Sequence, residues 1–287
     1  ELGYRRPRLS DVSGASCPPA YISSLRAVCK RAELGVMIHH AEVTIDEYAR
    51  LRDQGLGLVR FALAASEFDA LAVHARAACA AGLHFTVNLT RVSEVPPEVA
   101  IDVARAAEDA GARCFYVADS NGSLYPHRVA TLASRLRAAV GIALGFHAHD
   151  NLRLAFANAL VALSNGFTWI DASLGGAGKG GGNLILELIA AHLGIYAGHD
   201  RPDVLALARA HHEFVEPAMP ASRQSCHALF GLLDYNMDKI CKLSHQAEHL
   251  GIPLDAIAVE AFNQALNGTD DIATAPTSRP FGRITAS

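Results

Sequence analysis

Short apolar runs rich in β-branched and aromatic residues punctuate the first two thirds of the chain. They are VMIHH from Val36, LVRFALA from Leu58, FTVNLT from Phe85, CFYVAD from Cys114, ALGFHAH from Ala143 and WIDASL from Trp169. Their starts lie 22, 27, 29, 29 and 26 residues apart. Nearly continuous apolar runs are expected of strands buried on both faces of a parallel sheet. Each interval holds an Ala/Leu-rich stretch with helix-start chemistry. Thr44-Ile-Asp-Glu47 reads as a capping box, Ser66 precedes an acidic first turn, and Pro126 suits a first helical turn. Strands alternating with helices at this spacing predict βα units of an α/β fold. The regular beat favours a (β/α)8 TIM barrel over an open doubly wound sheet.

ELGYR at the start counts as one more strand, which makes seven rather than eight. Either a strand and helix precede residue 1, or the barrel closes in another way. From about Asp200 the strand beat stops and a helical pattern takes over. The predicted organisation is a barrel domain over residues 1–198, a helical C-terminal region over 199–268 and a flexible tail over 269–287.

The polar exceptions to the pattern collect at the C-terminal ends of the predicted strands. His39, His40, Arg60, Asn88, Asp119, His147, His149 and Asp171 all fall there. That is the end of a (β/α)8 barrel where active sites are built, and packing alone gives no reason for such a rim. His147 and His149 sit at i and i+2, so on a strand both imidazoles point to one face, an arrangement suited to a divalent metal.

Composition narrows the class. Half of the 287 residues are hydrophobic (51%), and the net charge is −4 with no block of like charge. This argues against nucleic acid or an anionic membrane as partner. The six cysteines form no C-x-x-C pair and read as reduced thiols. No apolar stretch reaches the roughly 18 residues of a membrane helix, and no signal segment opens the chain. The expectation is a cytoplasmic globular protein. Gly176-Ala-Gly178-Lys-Gly180-Gly181 satisfies the G-x-G-x-x-G string, but it follows the last strand and has no acidic residue about 20 positions on at a strand end. It reads better as a loop closing over an anionic substrate.

ELGYR, VADSNGSLYP, GFHAHDNLRLAFAN and IDASLGGAGKGGGNLILE together resemble the DRE-TIM metallolyases, the HMG-CoA lyase-like barrels that include 4-hydroxy-2-oxovalerate aldolases and isopropylmalate synthases. The likeness runs from residue 1 to about residue 195, and its combination of H-x-H-x-N, A-x-A-N, I-D-x-S and a glycine-rich G-N is specific. The segment GLLDYNMDKICKLSHQAEHLGIPLDAI is similar to the part of the aldolases that carries their catalytic tyrosine, which aligns with Tyr235. The resemblance implies a divalent metal, Mn²⁺ ahead of Mg²⁺, on His147 and His149. Asn183 becomes a nearby amide, a metal ligand or a substrate contact. Arg60 and Ser173 become substrate contacts, and Asp119 joins Tyr235 as a catalytic candidate.

The family's first strand ends in a T-L-R-D-G-like motif whose Asp is a third ligand and whose Arg steadies the enolate. That motif has no match in this chain, nor has the base histidine that follows it, so the expectation is a barrel with strands 2–8 visible. The implied activity is metal-dependent cleavage of a 4-hydroxy-2-oxo acid to pyruvate and an aldehyde. The alternatives are a Claisen-type acyl-CoA/2-oxo acid transferase, an HMG-CoA lyase-like enzyme, and an inactive, partner-bound relic. The implied partners are a small 2-oxo acid and an acylating aldehyde dehydrogenase that consumes the aldehyde.

Overall fold

The computed structural model describes residues 17–196, 203–218 and 226–266. ELGYR, the 198/199 boundary and the tail lie outside the described residues. Helix α1 (Pro19–Val28) precedes β1 (Gly35–Ile38), α2 (Glu47–Asp53), β2 (Leu58–Leu63), α3 (Leu71–Ala80), β3 (His84–Leu89) and α4 (Pro97–Asp109). Then follow β4 (Cys114–Asp119), α5 (Pro126–Ala139), β5 (Ala143–Ala148), α6 (Ala155–Ser164), β6 (Trp169–Ile170) and α7 (Leu186–Tyr196). The C-terminal region is helical where described: α8 (Val204–Ala210), α9 (Cys226–Leu232), α10 (Met237–Leu250) and α11 (Leu254–Leu266). No described helix is long and apolar enough to cross a membrane.

All six apolar runs form strands, joined in one parallel sheet in the order β1-β2-β3-β4-β5-β6. Each strand is followed by its helix, as the βα spacing requires. Every residue of β4 is buried, which explains why its sequence shows no alternation. WIDASL is regular strand only over Trp169–Ile170; Ser173 then makes an isolated bridge to Ile185. The core runs between sheet and helices, with Val36, Val59, Phe61, Phe85, Phe115 and Phe146 all buried.

Local signals hold, with the regular helix starting later than expected at two of the three. Glu47 reaches back to the Thr44 N–H at 2.9 Å, as a capping box requires, yet regular α2 starts only at Glu47. Pro126 opens α5. Glu67 accepts the Ala64 N–H at 2.8 Å and starts a 3₁₀ segment that leads into α3.

The sheet is curled. The Arg60 guanidinium on β2 lies 2.6 Å from the carboxylate of Asp171, just after β6. Strands four places apart therefore face each other across the interior, as in a barrel of the (β/α)8 kind.

A second, smaller core of Cys226, Phe230, Tyr235, Ile240 and Ala258 holds α9, α10 and α11 together. This helical unit docks on the rim through the loops after β3 and β4. Asn121 donates its side-chain N–H bonds to Asp234 Oδ1 (2.9 Å), Ser93 Oγ (3.0 Å) and Glu94 Oε1 (3.1 Å). Ser123 donates its hydroxyl to the same Asp234 oxygen at 2.5 Å.

Candidate active site

His147 is the fifth residue of β5, and His149 follows the strand directly. Their rings stand edge to face with centroids 5.1 Å apart. The carboxylate of Asp171 accepts the Nδ1–H of His147 at 2.9 Å, which leaves the other ring nitrogen as the one for a ligand. His149 directs Nδ1 to the Lys179 carbonyl at 3.3 Å. Burial, then the neighbouring His147, lowers the His149 pKa to about 3, so this ring is neutral and able to donate to a metal.

Arg60 is 2% exposed and bound on several sides. Besides Asp171 it donates to Asn88 Oδ1 on β3 at 2.9 Å, and its guanidinium carbon lies 3.7 Å from the centre of the Tyr116 ring on β4. Burial alone would push the Asp171 carboxyl up. Arg60, followed by His147, overcomes that and holds it well below the usual carboxylate range. The outcome is a charged chain, Arg60–Asp171–His147, inside the sheet.

The glycine-rich loop packs against this end of β5. A Cβ at Gly178 would come within 2.5 Å of the Asn183 amide, and one at Gly181 within 2.7 Å of the Asp150 carbonyl. Only glycine lets the loop lie so close. Asn183 bridges to His149 through the backbone, and its amide N–H donates to the Ala177 carbonyl at 3.0 Å. Its Oδ1 is buried and has no hydrogen-bond partner among the described residues. Ser173 donates its hydroxyl to the same Ala177 carbonyl at 2.6 Å.

Two predicted residues stand differently from the His pair. Asp119, at the end of β4, is 1% exposed, and its two oxygens accept the N–H groups of Ser123 (3.0 Å) and Leu124 (3.1 Å). Burial outweighs these two bonds and raises its pKa to about 7. Tyr235 is 7% exposed, stacked on Phe230 and covered by Lys239, whose Nζ lies 3.4 Å from the ring centre. Its neighbour Asp234 is the acceptor through which the helical unit grips the rim.

The donor set of His147, His149 and Asn183 Oδ1 suits a divalent ion: two imidazoles and a buried amide oxygen with no hydrogen-bond partner among the described residues. Among the described residues no carboxylate, cysteine or third histidine completes a cluster with the pair. Asp171 and Asp119 serve Arg60, His147 and backbone N–H groups instead. The pairing of Asp171 with His147 escaped the sequence reading, although both residues had been placed on the rim. Asn121 and Asp234 escaped it altogether.

The HMGL-like family model matches residues 60–215. The chain is 36% identical over 200 residues to a 4-hydroxy-2-oxovalerate aldolase of Roseiflexus sp. (strain RS-1), covering 69% of this chain and 59% of that protein. It is 31% identical over 257 residues to the 4-hydroxy-2-oxovalerate aldolase of Geobacillus stearothermophilus, covering 88% of this chain and 74% of that one. The chain thus spans less than two thirds of the length of the first relative. Among solved structures, the N-terminal domain of a putative aldolase from Bacteroides vulgatus superposes with a TM-score of 0.71 at 23% identity, over 84% of this chain and 82% of that one. Fold and rim define an α/β protein of the TIM-barrel type with its polar site at the strand ends. The chain belongs to the HMGL-like family.

Proposed function

We propose that this chain is a divalent-metal-dependent carbon–carbon lyase that cleaves a 4-hydroxy-2-oxo acid to pyruvate and an aldehyde. The observation that carries the reading is the His147–His149 pair, with Asp171 fixing one ring and Asn183, whose buried Oδ1 has no hydrogen-bond partner among the described residues, bridged to His149 through the backbone. The 4-hydroxy-2-oxovalerate aldolase names of the similar proteins support it. His147, His149 and Asn183 would hold the ion, with Mn²⁺ ahead of Mg²⁺ as the family resemblance implies. Bound there, the ion supplies Lewis-acid polarisation of a 2-oxo acid.

The chain's own residues do the rest. Asp171 keeps His147 in one tautomer. Arg60 holds Asp171 in place, and Ser173 would turn its hydroxyl from the Ala177 carbonyl to orient the acid's oxygens. Cleavage removes the proton of the 4-hydroxyl, breaks C3–C4 and leaves the electron pair on C3, where a proton completes pyruvate. Tyr235 and Asp119 are the proton carriers of this reading. An acylating aldehyde dehydrogenase would suit the reactive product as partner.

The test is pyruvate release from 4-hydroxy-2-oxovalerate by protein reloaded with Mn²⁺ after chelation. We expect turnover with the ion, little without it, and loss in His147→Ala. A folded, Mn²⁺-loaded protein that releases no pyruvate overturns the reading. Condensation of an acyl-CoA with a 2-oxo acid in its place would move it to Claisen chemistry.

A further inference from the structure

A second group of metal-ligating side chains lies on the same rim, away from the His147 pair. His39 and His40 follow β1, and Glu67 follows β2, the strand paired with it. The backbone turns from extended at His39 (φ −92°, ψ 138°) into a 3₁₀ turn at His40. At that corner two successive side chains, which a straight strand would send to opposite faces, converge on one side. One ligand atom from each of His39, His40 and Glu67 lies within 4.8 Å of the other two, and all three residues are half-buried.

Three further observations mark this group out. His40 Nδ1 is buried with no hydrogen-bond partner among the described residues, which a protein interior rarely tolerates. Glu67 uses Oε2 on the Ala64 N–H, so the carboxylate is fixed in place while Oε1 stays available. The wall behind is committed elsewhere: His74, edge-on to the His40 ring at 6.0 Å, has its Nδ1 on the Tyr48 hydroxyl at 2.7 Å. His74 therefore shapes the group without joining it.

We propose that His39, His40 and Glu67 form a second cation site, for a divalent transition metal of the zinc class, with at least one coordination position open. Two imidazoles and one carboxylate with an open position are the donor set of such sites. Among the described residues the ligating atoms group as His39, His40 and Glu67, without His147 or His149, so this ion and one on the His147 pair are different ions. The proposal does not depend on the lyase reading.

The test is Zn²⁺ and Co²⁺ binding to the purified, chelator-stripped full-length protein, followed by calorimetry and visible absorption, with circular dichroism as the check on folding. The double variant His39→Ala/His40→Ala should bind one equivalent fewer than wild type. The double variant His147→Ala/His149→Ala should keep that equivalent. Its Co²⁺ spectrum should show no thiolate charge-transfer band. Glu67→Gln keeps the size of the side chain and its bond to Ala64, and it should weaken this equivalent at least tenfold even if the histidine variant folds poorly. Equal stoichiometry in wild type and the folded histidine variant, or unchanged affinity in Glu67→Gln, overturns the proposal. So does a thiolate band that vanishes when the exposed Cys79 and Cys241 are replaced by Ser.

Discussion

The guanidinium of Arg60 stands 2.6 Å from Asp171 Oδ2, and the same oxygen accepts the Nδ1–H of His147 at 2.9 Å. One carboxylate therefore neutralises a buried cation and sets the tautomer of a candidate ligand. Asp171→Asn keeps the shape and removes the charge that faces the Arg60 guanidinium. Breaking a buried pair costs about 3–5 kcal/mol, and because Asp171 keeps 22% of its side chain exposed the lower end is expected. Urea unfolding at pH 7 measures it. The same variant should bind Mn²⁺ about 10–100-fold more weakly, as loss of a ligand's supporting carboxylate does.

The sign of the pH effect follows from the depressed folded pKa of Asp171. Its stabilisation is full above the unfolded value of about 4 and is lost as pH falls toward the low folded value. Wild type should therefore lose more stability than Asp171→Asn between pH 5 and pH 3. Parallel acid profiles for the two proteins would remove the ion pair from the account of stability.

Asp119 works in the opposite sense. Burial raises its folded pKa to about 7, against the two backbone N–H bonds that favour the ionised form. The folded state then holds the proton more tightly than the unfolded chain. Stability falls as pH rises from about 4 to 7, and the cost is complete above that range. Asp119→Asn should flatten this part of the profile, seen as a smaller drop in urea midpoint between pH 5 and pH 8 than in wild type. An unchanged drop would mean that the Ser123 and Leu124 bonds prevail and that Asp119 is ionised throughout.

Gly145 faces Tyr116 across β5 and β4, and a Cβ there would stand 2.5 Å from the ring. Gly145→Ala must displace Tyr116, which lies over Arg60. Overpacking of this kind costs about 1–3 kcal/mol. Thermal unfolding checks it, and Tyr116→Leu in the same chain should recover part of the loss.

The strands were legible because burial on both faces writes an apolar run into each of them, and their spacing carries the alternation with helices. The His147–His149 pair was legible for the same reason: period two on a strand defines a shared face. Other features depend on folding at long range. Arg60 meets Asp171 only because the sheet curls, and no local pattern encodes that. WIDASL reads as six residues of strand, but the chain leaves the sheet after Ile170 to build the glycine-rich loop. Glu67 announces itself as a helix-start acid, and only the fold brings it to His39 and His40. Asn121 sits in a loop NG that signals a turn, with nothing to reveal that it clasps a second unit.

That clasp decides how Tyr235 is to be tested. The tyrosine ring belongs to the small core of the helical unit, stacked on Phe230 at 6.1 Å, while the next residue back, Asp234, holds the rim through Asn121 and Ser123. If Tyr235 carries a proton, Tyr235→Phe should lower turnover by about 10²-fold with the metal stoichiometry and unfolding midpoint unchanged, since the stacked ring remains. Asn121→Ala should act on placement instead. Removing a donor shared between buried Ser93 and the more exposed Glu94 and Asp234 costs about 0.5–1.5 kcal/mol, and it should speed hydrogen exchange in α9 and α10 while leaving the core strands protected. Turnover in Asn121→Ala should then fall in step with the loosening of those helices. Full activity in Tyr235→Phe, with the helices still protected, would reduce the tyrosine to a packing residue. The proton of the 4-hydroxyl would then have to leave by another group on the rim.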